Sequence, residues 1–248
     1  MFSSRQCVRP LVIWCAVLFA GLVPVRAAQS PVASATPETV SCCGVITSDG
    51  HKLIVLLDSL DVEHKWLPHE SVHWQTGDPG PHRRGEAVTS HCSAFAAAVS
   101  LHLHVYLLRP PEHKTVFLAS AQGHWLAREG HEHGWLSVDA TEAQRRANLG
   151  EFVVVDYISP NPHKPGHIAV IRPAEKTVAQ LAQDGPEDTQ AGGHNHSDYI
   201  VARSFNSHPG AWPDGVRFYA HHVDWAKVTG KLDPADLQDD SLDGGSQP

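Results

Sequence analysis

The sequence predicts an α+β fold in which N-terminal helices pack on a C-terminal antiparallel β-sheet. Three observations predict it. Stretches of helical length come first, at 93–108, 115–130 and 139–150, each bounded by capping or breaking residues. From residue 151 the pattern changes to short runs rich in valine and aromatic residues, joined by proline- and glycine-bearing turns. Helices followed by strands, with no repeat of solenoid period, is the order of an α+β domain.

Taken in order, Arg5 and Arg9 precede an apolar run from Leu11 to Val23 and the small-residue site Val25-Arg26-Ala27, which together predict an export signal over 1–28. That run is shorter than the roughly 20 residues of a membrane span, so cleavage is expected, with no stable membrane anchor and a periplasmic or secreted destination. Residues 29–42 are rich in Pro, Ser, Thr and Ala and are expected to be a flexible leader. A single domain is expected over 43–230, and an acidic, disordered tail over 231–248.

Within the domain, KLIVLLDSL (52–60) has the length of a strand or a short helix, and periodicity does not decide between them. WQTGDPGPHRRGE (74–86) is dense in breakers and predicts loop. The alanine-rich stretch from Ser93 to about Leu108 predicts a buried helix, capped by Thr89 or Ser90 and stopped by RPPEH. TVFLASAQGHWLAREG and DATEAQRRANLG predict two more helices, the second opened by Asp139 or Thr141 and closed by Gly150. EFVVVDYI and HIAVIRP predict strands either side of the turn SPNPHKPG, with DTQAG, YIVARSF and GVRFYAHH as further strands of a meander.

The formal net charge of −8, with no basic run longer than Arg83-Arg84 or Arg145-Arg146, offers nothing to neutralise a phosphate backbone. Nucleic acid is therefore not an expected partner. Of the five cysteines, Cys7 and Cys15 fall in the signal, leaving Cys42, Cys43 and Cys92. An odd number in an oxidising compartment implies a free thiol or an intermolecular bond. A bond between the adjacent pair would be strained, so pairing of one of them with Cys92 stands as the structural alternative.

Cys92 lies in SHCSAFAAAV, at the mouth of the predicted helix and not among its alanines. First-turn amides favour an anion there, and it is the thiolate that attacks carbonyls. A base must accompany it. Nineteen histidines make mere presence uninformative, but His167 begins a strand directly after a proline-glycine turn, where an imidazole can face a helix packed on the sheet. Gln190, in the next strand-like stretch, offers an amide oxygen to orient the ring, and Asn195 and His194 are alternatives for that role.

SHCSAFAAAV, GHIAVIRP and TQAGGHN together resemble the bacterial papain-like cysteine peptidases and amidases of the NlpC and CHAP type, over roughly residues 86–220. The resemblance implies a papain-like fold, with Cys92 as nucleophile, His167 as general base and then acid, and Gln190 as orienter. It also implies a peptide or peptidoglycan fragment as substrate, and no cofactor. Two helical segments between Cys92 and His167 exceed the compact members of that group. The amide N–H of Cys92 is the natural oxyanion donor, with Thr89, Ser90 or His91 as a second. Ser90, His91, Trp74 and Asn195 are the candidate substrate contacts, while Trp74, Trp125, Trp135 and Trp212 are of a type more often found in the core than lining a cleft.

Two other classes compete. HLH (102–104), HEH (131–133), HNH (194–196) and HH (221–222) are dense enough to raise zinc or copper, but none has metal-ligand spacing. A non-catalytic wall-binding module on the same fold is the third reading.

Overall fold

The computed structural model describes residues 40–80, 90–115, 117–232 and 237. The chain divides into units 1–34 and 35–248. The expected export signal, nearly all of the leader, Thr89 and most of the acidic tail lie outside the described residues. Among those described, no helix is long and apolar enough to cross a membrane.

The first short strand, β1 (Ser41–Cys42), leads to helix α1 (Ser48–Ser59), so the ambiguous 52–60 run is helical. Thr47 decides this locally: its side chain accepts from the Gly50 amide as an N-cap, and Leu53, Leu56 and Leu57 then fall on one buried stripe. Helix α2 (Cys92–His102) is capped by His91, whose side chain makes no cap bond, in place of the expected Ser90. Every residue from Cys92 to Leu101 is buried, which is why the helix shows no polar face. It ends well before Leu108, at a turn where His104 takes a left-handed conformation, and Val105 and Leu107 continue into the core in irregular chain.

Helix α3 (Leu118–Arg128) is followed by a 3₁₀ turn (Gly130–His133), by strand β2 (Leu136–Val138), and by α4 (Ala140–Asn148), with Asp139 as N-cap. Strands β3 (Phe152–Tyr157) and β4 (His167–Ile171) match the sequence expectation. Next come β5 (Lys176–Thr177) and α5 (Val178–Asp184), where Thr177 and Gln180 form a reciprocal capping box, then β6 (Glu187–Ala191) and β7 (Asn195–Ile200). YIVARSF is only partly a strand: the chain turns into α6 (Val201–Ser204), and burial of Val201 and Phe205 at i, i+4 spacing reveals the helical period. Strand β8 (Arg217–His221) is the last element.

The fold is α+β. Six strands form an antiparallel sheet in the order β2-β8-β3-β4-β6-β7, so β3, β4, β6 and β7 make the meander and β8 folds back beside β3. Strands β1 and β5 form a separate ladder. Helices cover both faces. Phe152, Val154, Ile168 and Val170 meet α1, α2 and α3, whereas Val153, Val155, Ala169 and Ile171 meet α4, Val201 and Phe205. Coverage of both faces explains why β3 is an unbroken buried run and not an alternating one. Cys42 and Cys43 are bonded to each other, leaving Cys92 as the free thiol of the described residues.

Candidate active site

Cys92, His167 and Gln190 are brought to one end of the sheet, each about 5% exposed. His167 is the first residue of β4, and its Nε2 donates to Gln190 Oε1 at 2.8 Å. The amide nitrogen of Gln190 donates in turn to the His194 carbonyl at 3.3 Å, which fixes which end of the amide faces the ring. Because Oε1 can only accept, Nε2 carries the proton and Nδ1 is left as the basic nitrogen. Phe205 stands edge-on to the imidazole, with ring centroids 4.7 Å apart, and His208 stacks over it at 5.6 Å.

The backbone amides of Ile168, Ser93 and Cys92 itself and the Ser90 hydroxyl lie near enough to the Cys92 sulfur to favour its thiolate. Ile168 follows His167 directly, so the sulfur lies beside the backbone of the residue next to His167. Among the described residues the sulfur and the ring share no hydrogen bond. The sulfur lies on the face of the sheet that α2 covers, while the His167 ring meets Phe205 and His208 on the other, so proton transfer between them requires the two side chains to meet at the end of β4. Burial pushes the thiol up despite those donors, and it pushes the imidazole down despite Gln190 and the Asp188 charge. The resting pair is therefore a neutral thiol and a neutral imidazole. The helix tip does not acidify the sulfur on balance, because desolvation outweighs it.

The remaining candidates fall into two groups. Ser90 lies beside the Cys92 sulfur, and His91, next to it, donates from Nε2 to the Glu70 carbonyl at 2.8 Å. Trp74 and Asn195 lie in the framework. Trp74 is buried in the core, its carbonyl accepting from Trp66 Nε1 at 3.0 Å. The Asn195 amide nitrogen is bound to the carbonyls of Val62, Lys65 and Trp66, at 2.7, 2.9 and 3.1 Å, fastening the loop after α1 to β7. Neither Asn195 nor the His194 ring occupies the place beside His167 that Gln190 holds. Trp125 and Trp135 are buried and Trp212 half-buried.

Sequence reasoning passed over two buried carboxyls. Asp156 of β3 pairs across the sheet with Ile168, on the face where the sulfur lies, and neither of its oxygens has a hydrogen-bond partner among the described residues. Burial raises it well above the usual carboxylate range, and ionisation of the nearby Cys92 adds to the rise. Asp188 of β6 is pushed up to about 7 by burial. A charged residue inside VVVDY, and a second one two residues before Gln190, were the available signals. Among the described residues no three or more His, Cys, Asp or Glu side chains converge as metal ligands would.

Comparison with known proteins adds nothing to this geometry: no protein-family model and no curated protein matches the chain.

Proposed function

We propose that this chain is an exported cysteine hydrolase of papain-like fold that cleaves an amide or peptide bond, most specifically in the peptides of cell-wall peptidoglycan. The observation that carries the reading is the buried Gln190–His167 pair at 2.8 Å, together with a buried free thiol at Cys92 beside the amide of Ile168, the residue after His167. The substrate class rests on the resemblance of SHCSAFAAAV, GHIAVIRP and TQAGGHN to the NlpC and CHAP type.

The chemistry follows from the tautomer. His167 Nδ1 takes the thiol proton as Cys92 Sγ adds to the scissile carbonyl carbon, and the oxygen takes up the negative charge. The amide of Cys92, in the first turn of α2, is the natural donor to that oxygen. The imidazolium then gives its proton to the departing amine as the C–N bond breaks, leaving a thioester. Water, deprotonated by His167, adds to the thioester and releases the acid and the thiol. Starting from a neutral pair, proton transfer accompanies attack instead of preceding it.

Digestion of purified wall peptides tests this reading. The wild-type protein releases new amines, and both Cys92→Ala and His167→Ala abolish the release while keeping a cooperative unfolding transition. Release that survives Cys92→Ala overturns it.

A further inference from the structure

The hydrogen bond from Gln190 orients the imidazole but brings no charge, yet the reaction passes through an imidazolium in a site that excludes water. An uncompensated buried cation is costly, so the fold on that side of the sheet is the place to look for a counter-charge. Asp188 is fully buried two residues before Gln190. It pairs across the sheet with Ile171, and two-residue steps back along β4 pass Ala169 and reach His167 on the same face. Nothing larger than the Ala169 methyl stands on β4 between them.

The carboxyl is also tied to the ring mechanically. Asp188 Oδ1 accepts from the Ser204 hydroxyl at 2.7 Å, and the residue after Ser204 is Phe205, whose ring stands edge-on to His167. Oδ2 has no hydrogen-bond partner among the described residues. Of the other titratable groups near the pair, Lys176 is held by Glu187 at 2.6 Å, and Arg145 and Arg146 of α4 are engaged by Glu142. His208, set low at about 4 by burial and then by His167, is neutral near pH 7. Cys92 and Asp156 lie toward the opposite face.

We propose that Asp188 is a positioning residue for the base: its carboxylate supplies the counter-charge to the His167 imidazolium, and through Ser204 it holds Phe205 against the ring. The inference rests on His167 acting as the base. Buried at low dielectric, the two groups titrate as a coupled system, so each must register the ionisation of the other. The protein with Asp188 ionised is the one ready for proton uptake by His167.

NMR titration of the full mature chain tests this without any turnover, with the His167 resonance assigned by its loss in His167→Gln. In Asp188→Asn the His167 midpoint falls by about half to one pH unit, since the carboxylate that favours the cation is gone. Ser204→Ala, which keeps the carboxylate, moves it less. Where a substrate is cleaved, Asp188→Asn lowers kcat about three- to tenfold with KM unchanged. A purely structural role predicts equal effects of the two variants. In the wild-type protein, the Asp188 side-chain carbon must show the His167 inflection, so the coupling is measurable even if Asp188→Asn does not fold. An unchanged His167 midpoint in Asp188→Asn, or an Asp188 resonance blind to His167, overturns the inference while leaving Cys92-dependent cleavage untouched. Absence of cleavage with the shift present removes the hydrolase reading instead.

Discussion

Removing the Gln190 amide isolates what the orienting bond does. In Gln190→Ala the His167 Nε2–H loses an acceptor at 2.8 Å inside a site where the ring is about 5% exposed, so water cannot readily replace it. A buried donor left unsatisfied costs about 1–3 kcal/mol. Felt fully in the transition state, where that N–H belongs to an imidazolium, this lowers kcat by about 5-fold to about 150-fold. Gly192→Ala supplies a graded version. A Cβ there would come within 2.9 Å of Gln190 Oε1, close enough to push the acceptor aside by a few tenths of an ångström without deleting it. Removing the base in His167→Ala costs about 10²–10⁴-fold. The expected order of kcat is therefore wild type, Gly192→Ala, Gln190→Ala, His167→Ala, read from amine release at saturating substrate, with thermal melts confirming the fold. A Gln190→Ala protein as fast as wild type would refute the assignment of Gln190 and the tautomer argument with it.

Three further expectations concern the scaffold. Asp156 is buried and neither oxygen has a partner among the described residues, and Asp156→Val, of similar volume, should raise stability by about 1–3 kcal/mol in urea unfolding; destabilisation would mean that the carboxyl has a partner after all. Asp188 has a folded pKa of about 7, above its unfolded value, so in the intervening window the native state holds a proton that the unfolded state has lost. Stability from this group is present at low pH and is lost as pH rises towards 7. Asp188→Asn should therefore gain on wild type by up to about 4 kcal/mol between pH 4 and pH 8, and a constant difference across that range would contradict the shift. Asn148 is fully buried and binds the carbonyls of Gly44 and Ala174 and the Ala174 amide, at 3.1, 3.1 and 2.9 Å, so Asn148→Ala should cost about 3 kcal/mol, with a loss under 1 kcal/mol refuting its role as a tie.

Much of the architecture was legible because local chemistry and tertiary structure agree. Asp139 caps α4 as its side-chain type suggests, and Gly150 after it takes the left-handed conformation expected at a helix end. The runs FVVVDY and HIAVI are strands in both readings. Helix α5 opens on the capping-box signature Thr177-x-x-Gln180, but of its residues only Leu181 is buried, so no apolar stripe marks it in the sequence. His91 occupies the cap of α2 because its ring is drawn to the Glu70 carbonyl, a contact with a residue 21 positions earlier that no local pattern encodes. At the site, the positions of Cys92 and His167 followed from element ends. Asp188 and Gln190 stand two residues apart on β6, and the register irregularity beside them places its extra residue in β7, so the alternation that relates them holds; what no local pattern encodes is that both are buried. The protonation states were hidden too, since burial reverses the effect expected of a helix tip on a thiol.

The central claim is that the Cys92 sulfur becomes acylated during turnover. Acid-quenched reactions of the mature protein with wall peptides, digested and weighed by mass spectrometry, measure this directly. The account predicts a thioester mass on the peptide carrying Cys92 that appears and decays with the product amine. Amine release with no adduct on Cys92, or with acyl transfer to another residue, would contradict it.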